Sequence, residues 1–192
     1  GHVLSLVCLA DGKLLQETAA HAAGLPFGEF AQQIAHLRLA HLVRTSGMRA
    51  TDTVAPYHSR VRTAVIAKID GAPALHRRIA VALERSRHPD AEALMTHWRA
   101  AGDLVKAAHF AVAAAEEAET ALAFDRAVTL YEMALELGES HALRVRLAHA
   151  LVHAGRSAEA GAMFARAAKT ASPGAAIMHE QHAAEQLLRS GH

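Results

Sequence analysis

Two segments of this 192-residue chain carry the same side-chain pattern 33 residues apart. Ala127-x-x-x-Tyr131-x-x-Ala134 returns as Ala160-x-x-x-Phe164-x-x-Ala167. On a helix these positions share one face, where alanines admit close backbone approach and the aromatic ring fills the groove beside them. Ahead of the second copy, Leu147-Ala148-x-x-Leu151 supplies an apolar stripe for a preceding helix, and Gly155-Arg156 separates the two as a tight turn. A period close to 34 residues with helix–turn–helix content constrains the fold strongly. Such a unit cannot bury its apolar face alone and must stack on neighbours. The unit runs from His141 to Pro173, where proline is expected to stop it.

Composition agrees with helices. Apolar residues make up 52% of the chain but aromatics only 4%, so the core must be built largely from Ala, Leu and Val. The net charge of +1 conceals an asymmetry: residues 1–90 hold 11 Lys/Arg against 7 Asp/Glu, and residues 91–192 hold 9 against 12. Neither half has the charge density of a dedicated nucleic-acid binder. The single Cys8 lies in an apolar run, which predicts a buried thiol, no disulfide framework and a reducing compartment. No segment reaches the ~20 apolar residues of a membrane span, and Val3–Ala10 lacks the basic flank of a signal peptide. The expected setting is cytoplasmic, without membrane contact. Gly1-His2 in place of an initiating methionine reads as the start of an excised segment.

Along the chain, Val3–Ala10 predicts a short helix ended by Asp11-Gly12, and Lys13–Ala23 a second, closed by Gly24. Phe30, Ile34, Leu37 and His41 mark a third helix over 28–41. The period then changes. Leu42-Val43-Arg44 and Thr53-Val54-Ala55 read as a two-stranded hairpin with a polar tip, and Ser59–Ile69 returns to helix with Val61, Val65 and Ile69 inward. Three helices, a hairpin and a closing helix describe a winged helix-turn-helix over residues 1–70. Pro73 opens a connecting helix across 71–90, and Asp90 is placed to cap the next. Residues 91–192 read as helical repeats of the tetratricopeptide (TPR) type, with an irregular first hairpin around Trp98 and Ala107–Ala114. A fourth unit begins at Ala175–Arg189 and is cut short at Ser190-Gly191-His192. The expected class is mostly α: an N-terminal winged helix-turn-helix followed by a TPR-like α-α superhelix, truncated in mid-repeat.

Fifteen histidines raise the question of a metal. His149 with His153, and His179 with His182, can each share a helix face, but there is no HExxH, no CxxC and no third ligand at useful spacing. Solvated helix histidines are the expectation, and no metal. No GxSxG, no GxxxxGK[ST] and no nucleophile beside a base is present, so no catalytic residue is assigned and the chain is not expected to be an enzyme. Two features are more specific. The helix over 28–41 stands where a recognition helix would, exposing Gln32, Gln33, His36 and Arg38 in some combination, residue types that read base edges. However, it lacks flanking cations for phosphate anchoring. The other is Ala55-Pro56-Tyr57-His58-Ser59-Arg60-Val61-Arg62, where a histidine meets a helix N-terminus and two arginines, a setting suited to an anion.

Pro-Tyr-His-x-Arg-x-Arg (Pro56–Arg62), Leu-His-Arg-Arg-Ile-Ala (Leu75–Ala80) and His-Trp-x-x-Ala-Gly-Asp (His97–Asp103), in this order and followed by TPR-like hairpins, resemble the post-ATPase region of bacterial STAND proteins. These are signal-transduction ATPases of the multidomain kinase and transcriptional-regulator type. The resemblance covers nearly the whole chain. It implies a winged helix that packs on the protein's own upstream nucleotide module and holds its ADP-bound state. By resemblance His58, supported by Arg62, senses the nucleotide phosphate. ADP or ATP is then the ligand of the full-length protein, and no cofactor belongs to this segment itself. The array would bind a protein, peptide or inducer, with His141, Arg144 and His149 as candidate groove contacts. A DNA-binding regulator using Gln32–Arg38 is the alternative, and a passive scaffold the third reading.

Overall fold

The computed structural model describes residues 2–10 and 14–191, so the Asp11-Gly12 stop and Lys13 lie outside it. The protein is mostly helical, with eleven helices and three short strands among the described residues. The first compact unit (Gly1–Asp103) holds α1 (His2–Leu9), β1 (Leu14–Leu15), α2 (Gln16–Ala23), α3 (Phe27–Leu39), β2 (Val43–Thr45), β3 (Thr53–Pro56), α4 (Ser59–Ile66), α5 (Ala72–Glu84) and α6 (Ala91–Ala100). The second (Leu104–His192) holds α7 (Leu104–Thr120), α8 (Phe124–Leu137), α9 (His141–His153), α10 (Ser157–Ala168) and α11 (Pro173–Arg189). No helix among the described residues is long and apolar enough to cross a membrane.

In the first unit the strands form an antiparallel sheet in the order β1-β3-β2. Leu14 and Leu15, expected in a helix, are instead a strand in register with Val54 and Thr53. Helical periodicity misleads here because the decisive partners are remote. The Gln16 and Glu17 N–H groups, left without acceptors at the start of α2, donate to the Asp52 and Ala50 carbonyls of the hairpin tip at 2.9 Å each. Gln16 Nε2 adds a bond to the Gly47 carbonyl at 3.0 Å. A Cβ at Gly47 would lie 2.3 Å from Asp52 Oδ2, so a larger residue there would have to displace the Asp52 carboxylate.

Leu6, Phe30, Ile34, Val54 and Ile79 are all nearly fully buried in one core. Ala19 and Ala22 of α2 join it, and Gly24 closes that helix at φ 67° as expected. Cys8 is buried, and burial pushes its thiol pKa up. Three boundaries differ from expectation. Helix α3 ends at Leu39, leaving His41 outside it in the left-handed region at φ 53°. Helix α4 ends at Ile66, and Ile66 with Ile69, rather than the Val61–Val65–Ile69 line, packs against the core. The third difference concerns residues 71–103.

Helix α5, expected as a connector, contributes Leu75, Ile79 and Ala82 to the first unit's core. Its Arg78 Nε donates to the Ala22 carbonyl at 2.7 Å. Helix α6, capped by Asp90 Oδ1 accepting the Ala93 N–H at 3.0 Å, packs on α5. There Trp98 is 2% exposed, donates from Nε1 to Glu84 at 2.8 Å and lies under the Arg77 guanidinium at 5.5 Å. The division between units therefore falls at Asp103 rather than at residue 90, and the two helices read as an irregular first hairpin belong to different units. A large ring that must be buried, with an indole N–H that must be satisfied, ties α6 to α5.

In the second unit consecutive helices pack on one another from α7 to α11. Both repeated stripes are buried: Ala127, Ala134, Ala160 and Ala167 have no exposure, Tyr131 has 1% and Phe164 2%. Leu147, Ala148 and Leu151 of α9 are buried as expected, and Gly155 turns the chain at φ 74°. Pro173 does not stop α10, which ends at Ala168; it opens α11, where its missing N–H costs nothing.

Candidate functional site

His58 stands at the N-cap of α4 with extended backbone, and its side chain makes no capping bond. The imidazole is exposed and has no hydrogen-bond partner among the described residues. Its ring packs edge-on against Tyr57 at 4.7 Å, and Tyr57 packs edge-on against His41 at 5.3 Å. An exposed imidazole thus stands at the start of α4, whose first turn includes Arg60 and no acidic residue. Arg62, one turn along, has a different job in this fold: its Nε donates to the Cys8 carbonyl at 3.1 Å and fastens α4 to α1.

Gln32, Gln33, His36 and Arg38 are all exposed on α3, but not on one face. At about 100° per residue, Arg38 lies at least ~120° around the helix from each of the other three. Arg38 instead lines a groove of about 600 Å³ between α3 and the hairpin, with Ala35, His41, Arg44 and Tyr57. His41, Arg44 and Tyr57 were not singled out from the sequence as site residues. Only the break between α3 and β2 turns them toward Arg38, and no local motif encodes that.

The three groove candidates of the second unit separate. Arg144 is bound to Glu139 at 2.6 Å and lines a groove between α8 and α10 with Glu132, Glu136, Arg166 and Lys169, in which both signs of charge alternate. His141 Nδ1 lies 3.2 Å from Thr170 Oγ1, while its ring meets His179 at 5.2 Å. His149 meets Phe164 edge-on at 5.1 Å and His182 at 6.1 Å.

His141, His149, His179 and His182 are therefore gathered near Phe164, whose ring also stacks with His179 at 6.3 Å and meets His182 at 5.1 Å. The expectation of solvated histidines fails for His179, which is 6% exposed with both ring nitrogens lacking a partner among the described residues. Burial first, then the neighbouring His141 and His182, lowers its pKa. Burial and His182 lower that of His149, with Glu119 opposing. His153 faces elsewhere, stacked on Phe124 at 5.2 Å.

No known protein family, curated protein sequence or solved structure matches the chain. Among the described residues no group of three or more His, Cys, Asp or Glu is placed to hold a metal ion. A second histidine pair belongs to the first unit's packing: His76 Nδ1 and His97 Nδ1 are 2.8 Å apart, so one donates and the other accepts. Burial lowers the pKa of His97 to about 4, which keeps this pair neutral at pH 7.

Proposed function

We propose that this chain is the regulatory and protein-interaction region of a larger signal-transduction ATPase and has no catalytic activity of its own. Its first unit would be a winged helix that docks on the nucleotide module, and its second a TPR-like array that takes a protein, peptide or inducer. The element order α1-β1-α2-α3-β2-β3 and the sheet order β1-β3-β2 support the winged-helix reading. The buried alanine–aromatic stripes of α8 and α10 support the repeat reading.

The observation that carries the function is the partnerless, exposed His58 at the uncapped start of α4. An imidazole beside unsatisfied helix N–H groups is a fit for a phosphate oxygen. ADP or ATP held by an upstream module would satisfy these donors and so bias how the first unit docks. Ligand binding by the array would act by population shift, through different affinities for the docked and undocked states. Arg62 supports this from behind, by fixing α4. Binding of DNA has less support, because α3 turns Arg38 away from Gln32, Gln33 and His36.

The test uses the protein that includes the nucleotide module. His58→Ala should release bound ADP faster by about tenfold, the effect of losing one charge-assisted hydrogen bond. Helix content should not change, because the side chain is exposed. Unaltered ADP retention ends this reading.

A further inference from the structure

The groove between α8 and α10 that Arg144 lines has a volume of about 730 Å³ and continues into a second stretch of about 390 Å³. Glu132, Met163, Arg166 and Lys169 line both stretches. Its two walls carry opposite charge. Glu132 and Glu136 stand one turn apart on α8, while Arg166 lies in the last turn of α10 and Lys169 at its C-cap. Leu135, Leu147 and Met163 supply apolar surface between them.

Each stretch also holds a carboxylate that is already paired. Arg144 binds Glu139 at 2.6 Å in the first, and Arg156 binds Glu159 at 2.6 Å in the second. The other four charges are open. Glu132, Glu136, Arg166 and Lys169 make no hydrogen bond or ion pair with any described residue, although the field of Arg156 reaches Glu132. The walls do not close on each other because α8 and α10 each pack on α9, which lies between them in the chain.

We propose that this groove takes a short free peptide, its terminal ammonium against Glu132 and Glu136 and its terminal carboxylate against Arg166 and Lys169. A ligand of one sign would be attracted by one wall and repelled by the other. A free amino acid carries both charges on one carbon, so it reaches only one wall. Helices in contact already lie about 8–10 Å apart, and an extended chain of two or three residues spans about 7–11 Å. Its apolar side chains would cover Leu135 and Met163. The inference rests on the reading of α7–α11 as the ligand-binding arm and names that ligand.

The probe is the tripeptide Ala-Leu-Ala with free ends, titrated at pH 7 into the full chain and followed by amide NMR. At that pH its amine is mostly protonated and its carboxyl ionised. It should shift the Glu136, Leu147 and Arg166 amides. Acetylating the amine or amidating the carboxyl should each weaken binding about fivefold, the upper range for an exposed ion pair. Each loss should follow its wall: Glu132→Gln with Glu136→Gln should make acetylation harmless, and Arg166→Gln with Lys169→Gln should do so for amidation. All four side chains are exposed, so helix content should hold. Unmoved groove amides overturn the proposal, as does an acetylation effect that survives the glutamine variant. So does equally tight binding of free leucine, or of a peptide blocked at both ends, which mimics an internal protein segment. With the nucleotide module attached, binding at these amides that leaves ADP retention unchanged would keep this inference and end the reading of the array as the regulatory arm.

Discussion

The two repeats of the second unit put different chemistry at equivalent positions. In the first, Glu116 of α7 is ion-paired with Arg146 of α9, and the Tyr131 hydroxyl donates to Glu119 Oε2 at 3.0 Å. Burial, then that carboxylate, pushes the Tyr131 pKa up to about 12, so the hydroxyl stays a donor. Thirty-three residues on, the same four places hold His149, His179, Phe164 and Val152. A satisfied polar network has become a ring of imidazoles around an apolar side chain. The helix contact changes as well. Buried Val128 of α8 corresponds to Gly161 of α10, where a Cβ would meet Leu187 Cγ at 3.0 Å and the Ala183 carbonyl at 3.1 Å. One backbone pattern thus supports two interfaces. Buried alanines around one ring pack both; the first adds a tyrosine–carboxylate bond and a half-exposed ion pair, the second a closer helix approach and ring packing, with buried nitrogens left unmatched among the described residues.

Phe164→Ala should break the second interface most severely. It empties the space that Ala148 and Ala183 enclose and should cost about 3–5 kcal/mol, read from the denaturant midpoint of the α9–α11 amides in hydrogen exchange. Gly161→Val, which copies the residue of α8, should cost about 1–3 kcal/mol by forcing α11 off α10. Faster exchange confined to α11 would show it. If the variant is neutral, the close approach has no energetic meaning.

The smallest effect is a pH dependence. His179 and His149 have folded pKa values below the ordinary ~6.5, so the unfolded chain takes up protons first as pH falls. Their contribution is complete above that ordinary value and is lost as pH drops toward the lowered ones. His141, His182 and Glu119 face the same cluster and share in it. Midpoints of the α9–α11 amides measured from pH 7.5 to 5 should therefore fall, and His149→Glu with His179→Arg, which restores the ion pair of the first repeat, should flatten the fall. An unchanged slope would place the acid sensitivity elsewhere.

How far the residues alone foretell this molecule varies by element. Both stripes lie in the core because a helix face of alanines around one large ring has no other stable place. Gly24 and Gly155 sit at positive φ, and Asp90 caps α6, because those signals act within a few residues. His58 as a helix-opening histidine was legible for the same reason. Strand β1 was not, since Leu14-Leu15 suits a helix equally well and only pairing with Thr53 and Val54 decides it. Nor was the division at Asp103, which depends on Trp98 finding Glu84 and Arg77 on another helix.

The sequence by itself therefore determined a mostly helical chain, its repeat, its turns and the helix faces that must be buried. These follow from local conformational preference and apolar period. Tertiary structure alone decided the rest: that Leu14 is a strand and that α5 is core rather than linker. It also buried His179 and turned Arg38 away from its neighbours on α3. Each of these rests on partners far along the chain, and a backbone donor or a buried ring nitrogen is satisfied or left unmatched only once the fold brings its surroundings together.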